Sequence, residues 1–238
     1  MKAVILAGGR GKRLEPYTTI LPKPLMPVRD KPVIEIIIRK LIFSGFDDIY
    51  IAAGHLAALL QTYLGDGSRY GARITYSLED KPLGTIGPLK LIESHLKDEP
   101  FMVLNGDVLT DLNLSEFWEF HLSQDSPMTI AVTERHIHID FGVAELNGDR
   151  ISAYREKPSI SQWVSMGIYG MKPEVFEFIP EGRYFDLPQL VHRLIATDAG
   201  VAAYRHNGFW LDIGREEDFR SAQRIPDELM DRIIGLKA

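Results

Sequence analysis

The sequence contains no cysteine, which excludes a disulfide framework, a zinc–thiolate site and a thiol nucleophile. It also lacks any apolar run near the roughly 20 residues that a membrane-crossing helix needs. The N-terminal apolar stretch is cut short by Gly8 to Arg13, so no signal peptide is expected. A basic excess is missing as well. The formal net charge is −6, which argues against bulk binding to nucleic acid or a membrane surface, since both need a cationic face. These absences predict a cytoplasmic protein with no nucleic-acid or membrane partner, in which any phosphate ligand is met by a few placed cations.

The chain does have the balance of an ordinary globular protein, with 238 residues, 45% hydrophobic and 25% charged. That length suits one large α/β domain or a core with a small lobe. Ala3–Leu6, Ile49–Ala53, Ile74–Leu78, Phe101–Leu104 and Met128–Val132 read as strands. Val33–Phe43, His55–Leu64, Ile86–His95 and Leu114–Leu122 read as helices between them. The alternation predicts an α/β fold with a mainly parallel sheet covered by helices on both faces. From about Ile137 shorter strand-like pieces take over, Phe141–Leu146, Ile151–Tyr154 and Val164–Met171, with Asn147-Gly148-Asp149 as a turn. A helix Leu187–Ala196, a strand Val201–Tyr204 and a helical segment from Glu216 follow.

Between the first strand and the first helix lies Ala7-Gly8-Gly9-Arg10-Gly11-Lys12-Arg13-Leu14, and Lys23 stands between Pro22 and Pro24. A glycine-rich turn in that position cradles oxyanions with bare backbone N–H groups. Two familiar versions fail on spacing. A P-loop needs Ser or Thr where Arg13 stands, and a dinucleotide fingerprint needs glycine where Leu14 stands. Pro22 and Pro24 stiffen the chain around Lys23 and so present its side chain. Farther on, Phe101–Leu104 runs into Asn105-Gly106-Asp107, and Phe209-Trp210-Leu211 runs into Asp212. Ligands in open α/β sheets sit beyond the carboxyl ends of strands, so both acids point toward the glycine turn. Two carboxylates at strand ends, completed by phosphate oxygens and water, would suit Mg²⁺.

Gly8-Gly9-Arg10-Gly11-Lys12-Arg13-Leu14-Glu15-Pro16-Tyr17-Thr18, followed by Pro22-Lys23-Pro24, resembles the signature of the sugar-1-phosphate nucleotidylyltransferases. The resemblance covers most of the chain, from Lys2 to about Ala222. It implies a three-layer, Rossmann-like nucleotide-binding fold with a mainly parallel mixed sheet. It also implies a catalytic domain over residues 1–225, with a nucleotide-binding half to about 135 and a sugar-binding half to about 225. A short helical tail, 226–238, would follow without a β-helix domain. Lys12 departs from the family's usual threonine.

The same resemblance assigns roles. Leu6, Ala7, Gly8, Gly9, Gly11, Arg13, Lys23, Glu79, Gly84, Thr85 and Asp107 would bind the nucleotide, and Asp107 and Asp212 would bind Mg²⁺. Leu83-Gly84-Thr85-Ile86-Gly87 resembles the base-recognition turn, in a form most like the guanylyltransferases of mannose-type sugars. Glu79 could accept protons from guanine N1 and N2, and a uracil N3–H would satisfy it too. Gly142, the pair Glu156 and Lys157, and Ser165 with Gly167 resemble sugar-phosphate-binding segments; Ser165 replaces a usual asparagine.

What the resemblance implies is an enzyme that passes a nucleoside monophosphate from a nucleoside triphosphate to a sugar-1-phosphate and releases pyrophosphate. Its catalytic groups would be Arg13, Lys23, Asp107 and Lys157. GTP with a mannose-like or glucosamine-type sugar phosphate is the first expectation. A UTP- or dTTP-dependent member is the alternative, as is a non-catalytic regulatory homologue that only binds sugar nucleotide. A homodimer is a further possibility. His136 and His138 form a His-x-His pair with no evident third ligand and read as a loop or strand edge. Trp163 and Trp210 read as core or cleft walls.

Overall fold

The computed structural model describes residues 1–235. A seven-stranded sheet runs in the order Ala202–His206, Met128–His138, Ser159–Met171, Phe101–Asn105, Lys2–Ala7, Asp48–Ala53 and Arg73–Leu78. All neighbouring pairs are parallel except the two made by Ser159–Met171, which runs against both its partners. The fold is therefore the expected Rossmann-like α/β sheet, mainly parallel and mixed.

Alternation along each central strand divides the core into two layers. Ala3, Ile5 and Ala7 join Ile49, Ile51, Met102 and Leu104 under the helix Val33–Phe43. Val4 joins Tyr50, Ala52, Phe101 and Val103 on the other face, where Leu190 and Leu194 of the helix Leu187–Ile195 pack. Strands buried on both faces are near-continuous apolar runs for this reason.

The topology also places a crevice. From Lys2–Ala7 the chain moves outward to Asp48–Ala53 and Arg73–Leu78, then returns to pair Phe101–Asn105 with the opposite edge of Lys2–Ala7. A crevice opens beyond the carboxyl ends of strands where the order reverses in this way. Ala7 and Asn105 flank it.

Two elements differ from expectation. Residues 86–95 form a 3₁₀ turn, Gly87–Ile92, and a short helix, Glu93–Leu96, rather than one helix. The N–H groups of Ile86 and Gly87 donate to Phe185 O, at 3.0 and 2.9 Å, and Pro88 has no N–H to give, so the turn is tied across the molecule. Met128–His138 runs well past Val132 because it pairs with Ser159–Ser165 as an exposed two-stranded arm. His136 and His138 lie within this strand, and His136 Nδ1 is 2.8 Å from Ser161 Oγ. Trp163 is on the same arm with 46% of its surface exposed, so it is not a core residue; the Arg205 guanidinium lies over its ring. At the arm's end Val143–Asn147 and Arg150–Arg155 form a hairpin, turned at Gly148 with φ +59°.

Of the expected C-terminal tail, the helix Asp227–Ile234 is described and residues 236–238 lie outside the described residues. Among the described residues no helix is long and apolar enough to cross a membrane.

Candidate active site

Asp107 follows the central strand Phe101–Asn105, and Val108–Thr110 then pairs antiparallel with Trp210–Asp212. Val108 faces Asp212 in this ribbon, and the Ile213 N–H donates to Asp107 O at 3.0 Å. The two acids thus emerge side by side from segments distant in sequence. Lys23, on the 3₁₀ turn Lys23–Leu25, forms an ion pair with Asp107, and its Nζ lies 3.6 Å from Asp212 Oδ1. The proline-flanked lysine therefore points where the sequence predicts.

Burial pushes the Asp107 carboxyl above its ordinary range; the Lys23 charge opposes the rise and the Asp212 carboxylate adds to it. Asp107 Oδ1 and Asp212 Oδ1 are both buried without a hydrogen-bond partner. Unpartnered hard oxygens on adjacent acids fit Mg²⁺, which takes one or two carboxylates and fills its shell with water and phosphate. Among the described residues no group of three or more His, Cys, Asp or Glu is arranged to hold an ion. The pair therefore suits a cation that needs few protein ligands.

A cleft of about 560 Å³ opens in front of Lys23 and Asp107. Leu6, Ala7, Gly8, Gly9, Glu79, Gly84 and Thr85 also line it. Gly8 and Glu79 approach closely: a Cβ on Gly8 would lie 2.5 Å from Glu79 Oε1, and the Glu79 side chain would have to move to admit it. Glu79 Oε2 accepts the Leu83 N–H at 2.8 Å, and burial raises the Glu79 carboxyl above its usual range. Gly84 has φ +82°, where a Cβ would meet Phe185 O at 2.7 Å.

Gly11 and Arg13 are not among the residues that line the cleft, and each packs beside it. Gly11, at φ +63°, sits against Thr18, whose Oγ1 donates to Gly11 O at 2.9 Å. Arg13 lies beside Gly214, where a Cβ would be 3.1 Å from its Nη2 and 3.3 Å from Asp212 Oδ1. It stands next to the acid pair.

The sugar-motif residues divide. Gly167, with φ +77°, packs on the cleft-lining Asn105, and its N–H approaches Ser165 Oγ at 3.4 Å. Gly142 and Glu156 meet at the exposed hairpin, where a Cβ on Gly142 would be 1.8 Å from the Tyr154 hydroxyl. That hydroxyl donates to Glu156 Oε2 at 3.3 Å. Lys157 is exposed, at φ +44°. Gly142, Glu156 and Lys157 are not among the residues lining the cleft and stand on the exposed outer arm.

Sequence reasoning missed other walls of the cleft, namely Arg10, Gly54, His55, Tyr184 and Asp186. Gly54 and His55 follow the end of Asp48–Ala53, so the strand-end rule could have found them. Asp186 before Leu187-Pro188 carries a helix-start signal. Its main-chain O accepts the Gln189 N–H at 3.0 Å, its N–H donates to Gln189 Oε1 at 2.8 Å, and its Oδ1 takes the Thr85 N–H at 2.8 Å. Tyr184 carries no such signal; its hydroxyl donates to Asp186 Oδ2 at 2.5 Å.

A glycine turn, a lysine and paired acids around the switch-point crevice define a phosphate-handling α/β protein. Residues 2–227 match the family model described as nucleotidyl transferase, and the chain belongs to that family. It is 36% identical over 243 residues to a UTP–glucose-1-phosphate uridylyltransferase of Synechocystis sp. (strain ATCC 27184 / PCC 6803 / Kazusa), covering 94% of this chain and 63% of that protein. It is also 36% identical over 233 residues to a probable mannose-1-phosphate guanylyltransferase 1 of Oryza sativa subsp. japonica, covering 94% and 64%. The chain thus spans less than two thirds of the length of these curated relatives. Among solved structures, a putative glucose-1-phosphate thymidylyltransferase from Bacillus anthracis superposes with a TM-score of 0.75 at 26% identity, over 97% of this chain and 99% of that one.

Proposed function

We propose that the protein transfers a nucleoside monophosphate from a nucleoside triphosphate to a sugar-1-phosphate, giving a sugar nucleotide and pyrophosphate. The observation that carries this reading is the Lys23 ammonium set between Asp107 and Asp212 at the wall of the switch-point cleft.

The backbone of Gly8 and Gly9 and the side chains of Lys23 and Arg13 receive the triphosphate, while Glu79 and the turn at Gly84 and Thr85 meet the base. The sugar phosphate is already ionised near neutral pH, so no general base is needed. Its oxygen attacks the α-phosphorus, the bond to the pyrophosphate oxygen breaks, and the sugar's own C–O bond stays intact. Catalysis is alignment plus charge neutralisation. Lys23 and Arg13 neutralise charge on the α-phosphate and departing pyrophosphate. Asp107 and Asp212 would hold Mg²⁺, which supplies further positive charge to the phosphates when bound. Residues 136–225 supply the sugar end, with Gly142, Glu156, Lys157, Ser165 and Gly167 as its contacts.

GTP with a mannose-like or glucosamine-type sugar phosphate is the preferred pair, on the form of the Leu83–Gly87 turn and the likeness to mannose-1-phosphate guanylyltransferases. The engaged state of Glu79 Oε2 favours a second reading, UTP or dTTP with a gluco-sugar, because one free oxygen suffices for the single N3–H of a pyrimidine. Pyrophosphate release over a grid of nucleoside triphosphates and sugar-1-phosphates, with Mg²⁺, tests both. Release with no pair would overturn the enzymatic reading in favour of a binding protein.

A further inference from the structure

We propose that Asp111 is a positioning residue that fixes the placement of Asp212 beside Asp107, and so sets the geometry of the divalent-cation site. The inference rests on the reading of Asp107 and Asp212 as the acids that hold the cation.

Asp111 lies just past the ribbon strand Val108–Thr110, with 12% of its side chain exposed. Its Oδ1 accepts the Phe209 N–H at 2.7 Å and lies 3.0 Å from His206 Nε2. Its own N–H donates to Phe209 O at 3.2 Å, and the Thr110 hydroxyl donates to the same oxygen at 2.7 Å. Phe209 is thus held on both sides of its peptide at the start of the segment that ends in Asp212. Only the pairing of Trp210–Asp212 with Val108–Thr110 separates this anchor from the acid. A slip of Phe209 along the ribbon would move Asp212 relative to Asp107.

Gly208 supports the same arrangement. A Cβ there would lie 2.4 Å from Asp111 Oδ1 and 2.7 Å from the His206 ring. The residue before Phe209 must be bare for the carboxylate to reach the backbone. Asp111 is also the point to which the helix Asp227–Ile234 is charge-matched, with Arg232 Nη1 3.8 Å from its Oδ2. The buried Lys40 ammonium feels the same carboxylate and donates to Ile233 O at 3.2 Å. One acid therefore ties together the end of the strand Ala202–His206, the ribbon carrying Asp212, and the last described helix.

Partners hydrogen-bonded to a metal ligand typically cost about 10- to 100-fold in metal affinity when lost. Asp111 acts farther out, through Phe209, so the lower figure applies. Mn²⁺, used alone as an electron-spin probe, reads the site without turnover. Asp111→Ala should weaken Mn²⁺ binding about ten-fold. Asp111→Asn retains an acceptor for the Phe209 N–H and should recover most of the affinity. Asp212→Asn sets the floor. Unchanged Mn²⁺ affinity in a folded Asp111→Ala protein overturns the proposal, as does an Asn variant no better than Ala. If Asp111→Ala does not fold, Gly208→Ala, which pushes the acid aside, carries the test in the same two directions. Mn²⁺ binding that follows this order without pyrophosphate release from any substrate pair would refute the enzymatic reading and leave this inference standing. Mn²⁺ binding untouched by Asp212→Asn would refute the reading of Asp212 as a cation ligand, and the inference with it.

Discussion

Gly8 and Glu79 approach so closely that a methyl group on the glycine would lie 2.5 Å from the Glu79 carboxylate oxygen. The glycine turn and the Glu79 carboxylate are therefore fitted to each other. Gly8→Ala should swing Glu79 out of place and leave Lys23 untouched. Loss of a hydrogen bond to a charged acceptor costs about 1.5–3 kcal/mol, so KM for the nucleotide should rise roughly ten- to a hundred-fold, with a smaller change in kcat. Steady-state kinetics separates the two; an unchanged KM would remove Glu79 from the base site.

Removing the central cation should act on turnover instead. Lys23→Ala should lower kcat by roughly 10²–10³, the usual cost of one lost charge-stabilising donor. Near-native pyrophosphate release from a folded variant would refute the role given to this lysine.

Asp107 makes a separate prediction about stability. Its folded pKa is raised by burial, so its contribution to stability is fully present below the unfolded value near 3.8 and is lost as pH rises through the folded value. Asp107→Asn removes this pH dependence but leaves the Lys23 ammonium without its nearest partner. It should therefore lower Tm in chelator, abolish the Tm increase produced by Mg²⁺, and lower activity by roughly 10²–10³. Thermal unfolding with and without Mg²⁺ checks it, and a Tm that still rises with Mg²⁺ in the variant would disprove the metal site.

His121 should govern acid stability. It is fully buried, with Nδ1 2.8 Å from Thr129 Oγ1 and Nε2 unpartnered. Burial, helped by the charge of Lys172, pushes it down to about 4. The unfolded chain takes up the proton near 6.5, so stability is full above that pH and falls as pH drops from 6.5 toward 4. The loss is on the order of 3 kcal/mol. His121→Leu should flatten this fall while costing about 1 kcal/mol at neutral pH for the Thr129 hydrogen bond. Urea unfolding at several pH values measures both, and an equally steep fall in the variant would exclude His121 as its source.

The Asp186 carboxylate takes the Thr85 N–H and the Tyr184 hydroxyl, and so ties the turn at Leu83–Gly87 to the start of the helix Leu187–Ile195. Asp186→Ala should lower stability by about 1.5–3 kcal/mol through the lost charged acceptor. It should also raise KM for the nucleotide, since the Thr85 N–H loses its acceptor. A Tm loss with no change in KM would confine Asp186 to a structural role.

Much of this was legible in the sequence because the signals were local. Continuous apolar runs marked the central strands, and the proline-flanked Lys23 and the strand-end Asp107 reached the same cleft as expected. The parts that were not legible depend on partners far along the chain. The turn at residues 86–92 lost its helix to a carbonyl at Phe185, and Tyr184 entered the cleft only because that segment folds back onto Leu83–Gly87. The hairpin at the tip of the outer arm is legible from its turn, but the pairing of residues 133–138 with 159–164 is not. The reason is that His136 and Trp163 stand on a ribbon exposed on both faces, where no inside–outside alternation exists to read.

The short ribbon joining Val108–Thr110 to Trp210–Asp212 also brings together segments made far apart in time. During synthesis the glycine turn, Lys23 and Asp107 leave the ribosome early, and Asp212 is added only near the end. A nascent chain halted before Trp210 therefore holds one acid of the pair and has no strand with which Val108–Thr110 can pair.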